Sequence, residues 1–180
     1  MKPKDLERRM AEANCLLNFA AEIYELQLSA GRHFLHEHPK TAKSWKNRKV
    51  RKLMKDPKVY SVDADLCRFG LVTRGVDGKL MAAKKTTRFM SSAPAILERL
   101  GMKCQGGHAH QHLIDGRAKA AAIYPPMLCR AMIQGAHEQR QREGGGGAPK
   151  NILEAMDAGC AIFNLGECGD KIELDESLTN

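Results

Sequence analysis

The chain has 180 residues, six cysteines and a formal net charge of +8, with 43% apolar and 28% charged side chains. That composition is globular, and the length suits one domain with an appendage rather than an enzyme with separate cofactor and substrate lobes. No apolar run approaches the roughly 18 residues that span a bilayer, and Met1-Lys2-Pro3-Lys4-Asp5 opens no secretory signal.

An intracellular setting, nuclear or cytoplasmic, is therefore expected, with the cysteines as thiols or metal ligands rather than disulfides. Residues 4–30 predict a long amphipathic helix. Leu6, Met10, Ala13, Leu17, Ala20 and Tyr24 recur at three- and four-residue steps, and Gly31 is a natural stop. Phe34-Leu35 reads as the core of a short strand that Pro39 ends. Residues 40–58 then carry nine basic side chains against Asp56 alone. Within them a helix is expected over about 45–55, capped by Thr41 or Ser44, with Trp45, Val50, Leu53 and Met54 on its apolar side.

Val59 to Ala64 reads as a second strand, and Leu71 to Ala83, with Gly75 and Asp77-Gly78, as a hairpin or excursion. Thr86 to Ser91 is a third strand. Ser92 then caps a helix over 93–100, with Pro94 in its first turn. Residues 101–116 are rich in glycine and histidine and read as irregular. A helical turn at 118–123 and a helix over 126–142 follow, the latter with Leu128, Met132 and Ile133 inward. Gly144 to Gly147 reads as a linker, 151–158 as a short helix and 166–180 as an acidic, disordered tail. The domain boundaries expected are thus 1–143 for the folded part and 144–180 for linker and tail. Strands alternating with helices favour a short, mostly parallel sheet with helices on both faces.

Four constellations carry chemistry. Lys43, Lys46, Arg48, Lys49, Arg51 and Lys52 form a cluster that can attract phosphates; its alternatives are a solvated helix face or a patch that meets the acidic tail. Around the first strand end, His36 and His38 point one way and Glu37 the other, and a carboxylate at that place can face a polar ligand. Cys104, His108, His110 and His112 have thiolate and imidazole spacing that suits zinc, with a fourth ligand drawn from these histidines, Cys67 or Cys129. Asp65 and Cys67 share a face if the second strand continues, with Gly70 allowing close backbone approach. No Gly-x-Gly-x-x-Gly, P-loop or Ser-His-Asp order is present.

Several strings, in order, resemble a methyltransferase-like module of Copia-type retrotransposon polyproteins from dinoflagellate algae. They are Gly31-Arg32-His33-Phe34-Leu35-His36-Glu37-His38-Pro39 with Ser44-Trp45, Asp65-Leu66-Cys67-Arg68-Phe69-Gly70, Lys85 to Ser92, Cys104 to His112, Gly116-Arg117-Ala118-Lys119, and Tyr124-Pro125 with Leu128 to Ala131. The resemblance covers about residues 5–135. That module is similar to the second half of a cytosine-5 DNA methyltransferase type of Rossmann domain. The resemblance therefore implies a partial Rossmann-like unit, with Glu37 at the base-contacting carboxylate position and Arg88 at one of the arginines. Thr86 stands where the module has proline, and Ser91-Ser92 where it has Thr-Asn.

Three functions follow as expectations. The favoured one is a retrotransposon-derived module, not catalytic alone, that contacts nucleic acid through the basic segment. A second is a methyltransferase-type half, using S-adenosylmethionine only when another chain or polyprotein segment supplies the upstream half. A third is a zinc-stabilised protein interaction module.

Overall fold

The computed structural model describes residues 3–75, 78–113 and 121–144. The chain divides into two units, Met1–Gly144 and Gly145–Asn180. The second unit, with the helix expected at 151–158 and the acidic tail, lies outside the described residues. So does the first half, 118–120, of the turn expected at 118–123.

The first unit begins with helix α1 (Pro3–Ser29), followed by strand β1 (Leu35–Pro39). A 3-10 turn (Lys43–Lys46) leads into the short helix α2 (Arg48–Leu53). Strand β2 (Tyr60–Asp65) runs into a second 3-10 turn (Leu66–Phe69). Strands β3 (Val72–Arg74) and β4 (Leu80–Ala83) form the expected hairpin, and strand β5 (Thr86–Ser91) and helix α3 (Pro94–Leu100) follow. The two-residue strand β6 (His110–Gln111) and helix α4 (Pro126–Arg142) complete it.

The fold is α/β, but the main sheet is not the mostly parallel one expected. Its order is β1-β5-β2, and β5 is antiparallel to both neighbours. The reason is an insertion. β1 and β2 run the same way and are joined through α2, as a parallel crossover requires, but β5 enters between them from the opposite direction. A second small sheet, β3-β4-β6, holds the one parallel pairing among the described residues, β4 with β6.

Period-two alternation gives the main sheet two buried faces. On one, Phe89, Ala64 and the partly buried Leu35 and Val62 pack with Ile96, Leu97 and Leu100 of α3 and Leu128 of α4. On the other, Met90 packs with Ala21 of α1, Phe34, Trp45, Val50 and Leu53. Helices thus cover both faces. Only the C-terminal half of α1's apolar stripe takes part. Leu17, Ala21, Tyr24 and Leu28 meet the core, while Leu6 and Met10 stay exposed. Among the described residues no helix is long and apolar enough to cross a membrane.

Helix boundaries differ locally for identifiable reasons. The helix expected over 45–55 is split at Asn47, whose side chain caps α2 by accepting from the Lys49 and Val50 amides at 2.9 and 3.3 Å. Ser44 instead bonds His38 Nδ1 at 2.7 Å. Ser92 does not cap α3. The Ala95 amide donates to the buried Gln139 side chain of α4 at 3.1 Å, so a neighbouring helix satisfies this end. In α4 Leu128 and Met132 face the core as expected, joined by Gly135 and Gln139, but Ile133 is exposed, contrary to the expected stripe.

The contact between α3 and α4 is close. A Cβ built on Gly135 would lie 2.6 Å from Ile96 Cα and 3.0 Å from the Ala95 carbonyl oxygen, both backbone atoms. Gly135→Ala should therefore destabilise the protein by about 1–3 kcal/mol, the usual cost of overpacking. Urea denaturation measures it; an unchanged midpoint would mean that the two helices can part freely.

Candidate metal centre

Asp65 is the last residue of β2, so the condition for Asp65 and Cys67 to share a strand face, that the strand continue, is not met. The 3-10 turn, anchored by buried Leu66 and Phe69 and closed by Gly70 at φ 82°, carries Cys67 out of the sheet. β4 draws in the other half of the site. Ala82 pairs with His110 in β6, fixing where the histidine loop ends. The start of that loop is held by Asp65: its amide donates to the Met102 carbonyl at 2.9 Å, and its carboxylate accepts from the Cys104 amide at 3.0 Å and the Thr86 hydroxyl at 2.5 Å.

Between these ends the loop folds tightly. Gly106 and Gly107 take φ of +83° and +79°, a conformation glycine adopts without a Cβ penalty. The Gly106 amide donates to Cys104 Sγ at 3.4 Å. The result is a four-membered cluster. His110 Nε2 lies 3.4 Å from Cys67 Sγ and 3.5 Å from Cys104 Sγ, and His108 Nε2 lies 3.7 Å from Cys104 Sγ. All four donor atoms lie within 4.8 Å of one another, and the group could hold a metal ion.

Of the five metal candidates read from the sequence, Cys67, Cys104, His108 and His110 converge. His112 does not: β6 ends at Gln111, and His112 is exposed outside the cluster. Burial and the adjacent Cys104 push the Cys67 thiol up to about 11. A coordinated cation reverses that preference, because a metal-bound thiol is deprotonated. Burial and the neighbouring His108 lower the pKa of His110, which favours the neutral imidazole that metals bind.

Glu37 and Arg88 are not brought together. Glu37 stands opposite Phe89 and Arg88 opposite His38, so they lie on opposite faces of the sheet. The Glu37 carboxylate accepts from Thr87 Oγ1 at 3.0 Å and Tyr124 Oη at 2.7 Å. It borders an open cleft of about 530 Å³ with Leu16, Ala20, Leu35 and Met132. Burial and the Glu37 bond raise the Tyr124 phenol.

Arg88 grips Asp63 in a bidentate pair at 2.7 and 3.2 Å, with its guanidinium 5.7 Å from the Trp45 ring. Lys40 Nζ adds a contact to Asp63 at 3.0 Å. On the same face His36 donates to or accepts from Tyr24 Oη at 3.1 Å, and its Nε2 has no partner among the described residues. Burial, with His38 adding to it, pushes His36 down to about 4. Asp63 was not singled out in the sequence. Its signal was an acid in alternation with Ser61 and Asp65, opposite an arginine whose strand partner the sequence alone does not name.

The basic cluster lies on the exposed side of α2 and the turn before it. Lys46, Arg48, Lys49, Arg51, Lys52 and Lys55 line an open groove of about 710 Å³, with Glu25 as its one carboxylate. Lys43 lines a neighbouring hollow with His38 and Asn47. Lys49 pairs with Glu22 and Lys52 with Glu25 at 2.9 Å, so two cations answer acids of α1.

No protein-family model, no curated protein and no solved structure matches this chain.

The Arg88 guanidinium and Lys40 hold the Asp63 carboxyl down from its ordinary 3.8 to about 2. A depressed carboxyl pKa stabilises the folded state fully above the unfolded value and loses that contribution as pH falls through the folded one. Asp63→Asn should thus be less stable at neutral pH, and the wild type should approach it as pH falls from about 4 towards 2. Denaturant midpoints across that range check this. Parallel curves for the two proteins would contradict it.

Proposed function

We propose that the protein is a zinc-stabilised α/β module in which the metal is structural. The observation that carries this is the spacing of the four donors. A zinc tetrahedron with Zn–S of about 2.3 Å and Zn–N of about 2.05 Å puts sulfur and nitrogen about 3.6 Å apart. Three of the four Cys–His separations here are 3.4, 3.5 and 3.7 Å. Two thiolates would also neutralise the divalent charge, and soft sulfur with imidazole suits zinc over magnesium or calcium. Four protein ligands fill the shell and leave no open position for substrate, which favours a structural rather than a catalytic metal.

In this reading zinc ties the turn after β2 to the loop before β6. Asp65 acts from behind the ligands, orienting Cys104 through its amide. Kinship with the Copia-type methyltransferase-like module belongs to the same proposal. Its support is that two of the resembling strings, Asp65 to Gly70 and Cys104 to His112, meet at this one centre. The partial Rossmann expectation has no such support from a sheet whose three strands alternate in direction. A base-contacting part for Glu37 is likewise disfavoured, with its carboxylate engaged by Thr87 and Tyr124 and Arg88 across the sheet.

Metal analysis of the purified protein should find close to one zinc per chain. Cys67→Ser and Cys104→Ser should each fall below about 0.2 and lower the melting temperature, as chelation of the wild type should, because a structural metal contributes folding free energy. His112→Ala should keep its zinc. Equal loss from the His112 variant, or no zinc in the wild type, would defeat the reading.

A further inference from the structure

We propose that the face of α2 is a docking surface for the phosphate backbone of nucleic acid, read without base specificity. The argument begins with what holds the helix. Val50 and Leu53 are fully buried at a three-residue step, which turns Arg48, Arg51 and Lys52 outward. The Asn47 cap and a 3.0 Å bond from Asn47 Nδ2 to Asn18 Oδ1 of α1 fix the helix to the body. The cations therefore project from a firm platform.

Lys49 and Lys52 are occupied by Glu22 and Glu25. Lys46, Arg48, Arg51 and Lys55 have no carboxylate within ion-pair distance among the described residues, yet they line the same groove. Four unpaired cations along an open groove suit a repeated, extended anion better than one small phosphate.

The chemistry separates the partners. Insertion into a lipid surface needs apolar side chains on the cationic face, and those of α2 point into the core. Stacking of single-stranded bases needs an exposed aromatic ring, but none lines this groove, and the nearby Trp45 is buried with its indole N–H spent on the Pro39 carbonyl at 2.9 Å. What remains is a purely electrostatic contact with phosphates. This surface belongs to the core cluster around Trp45, apart from the metal centre, so either proposal can fail without the other.

The test is fluorescence anisotropy with a labelled random-sequence DNA duplex at several salt concentrations. Four phosphate contacts give a slope of log K against log salt of about −3.6, since each contributes about −0.9. Replacing two contacts, in Arg48→Gln/Arg51→Gln, should reduce the slope to about −1.8 and weaken binding about 60-fold at ~0.1 M salt. Arg140→Gln on α4 should change neither. Unchanged circular dichroism and zinc content of the double variant show that the fold is intact. No binding, a slope unaffected by the double variant, or an equal effect of Arg140→Gln overturns the proposal. So does tighter binding of phosphatidylserine vesicles or polyglutamate than of the duplex, each of which would name a different partner.

Discussion

Strand β5 has a partner on each edge and a hydrophobic layer on each face. Both edges use its backbone groups, with β1 on one side and β2 on the other. Phe89 and Met90, neighbours in sequence, are both fully buried because each enters a different core. A central strand of this kind ties the two halves of the unit together through backbone bonds on both edges. It also sets the chemistry of each face. Thr87 reaches Glu37 on one side and Arg88 reaches Asp63 on the other, so adjacent residues serve polar networks that never meet.

The candidate metal centre depends on the strand at one remove. Thr86 bonds the Asp65 carboxylate, and Asp65 in turn takes the Cys104 amide. One acid at a strand end thus joins the main sheet, the histidine loop and the turn that bears Cys67. A second anchor is the short parallel pairing of β6 with β4. Met102 and Leu113 pack against the core at the two ends of the loop, and between them Ala109 and Cys104 are its only apolar side chains. That is the setting in which the proposed zinc would supply most of the local stability.

Much of this was readable in the sequence, and the parts that were not share a cause. The strand over Thr86–Ser91 and the helices over 94–100 and 126–142 follow from alternation, proline placement and periodicity. Alternation also put His36 and Glu37 on opposite faces. It names a face, however, and not a neighbour, so the insertion of β5 between β1 and β2 was hidden. With it were hidden the antiparallel order and the Arg88–Asp63 pair. Cys67 was legible as a fourth ligand by residue type, but not the 3-10 turn that carries it there once the strand stops. His112 shares its spacing with His108 and His110, and only the end of β6 separates it from them. Of the caps, Asn47 acts locally, on the amides two and three residues on, whereas Gln139 acts from another helix, which local sequence does not display.

A sheet of three strands has two open edges, and open edges invite other chains to add to them. β1 guards its own by being short and ending in Pro39, which has no N–H to offer. On β2 the outward Asp65 amide is taken by the Met102 carbonyl, the first turn of the histidine loop. The loop that gathers Cys104, His108 and His110 therefore also shields a strand edge. Opening it would separate the four candidate ligand residues and free the last amide of that edge in the same motion.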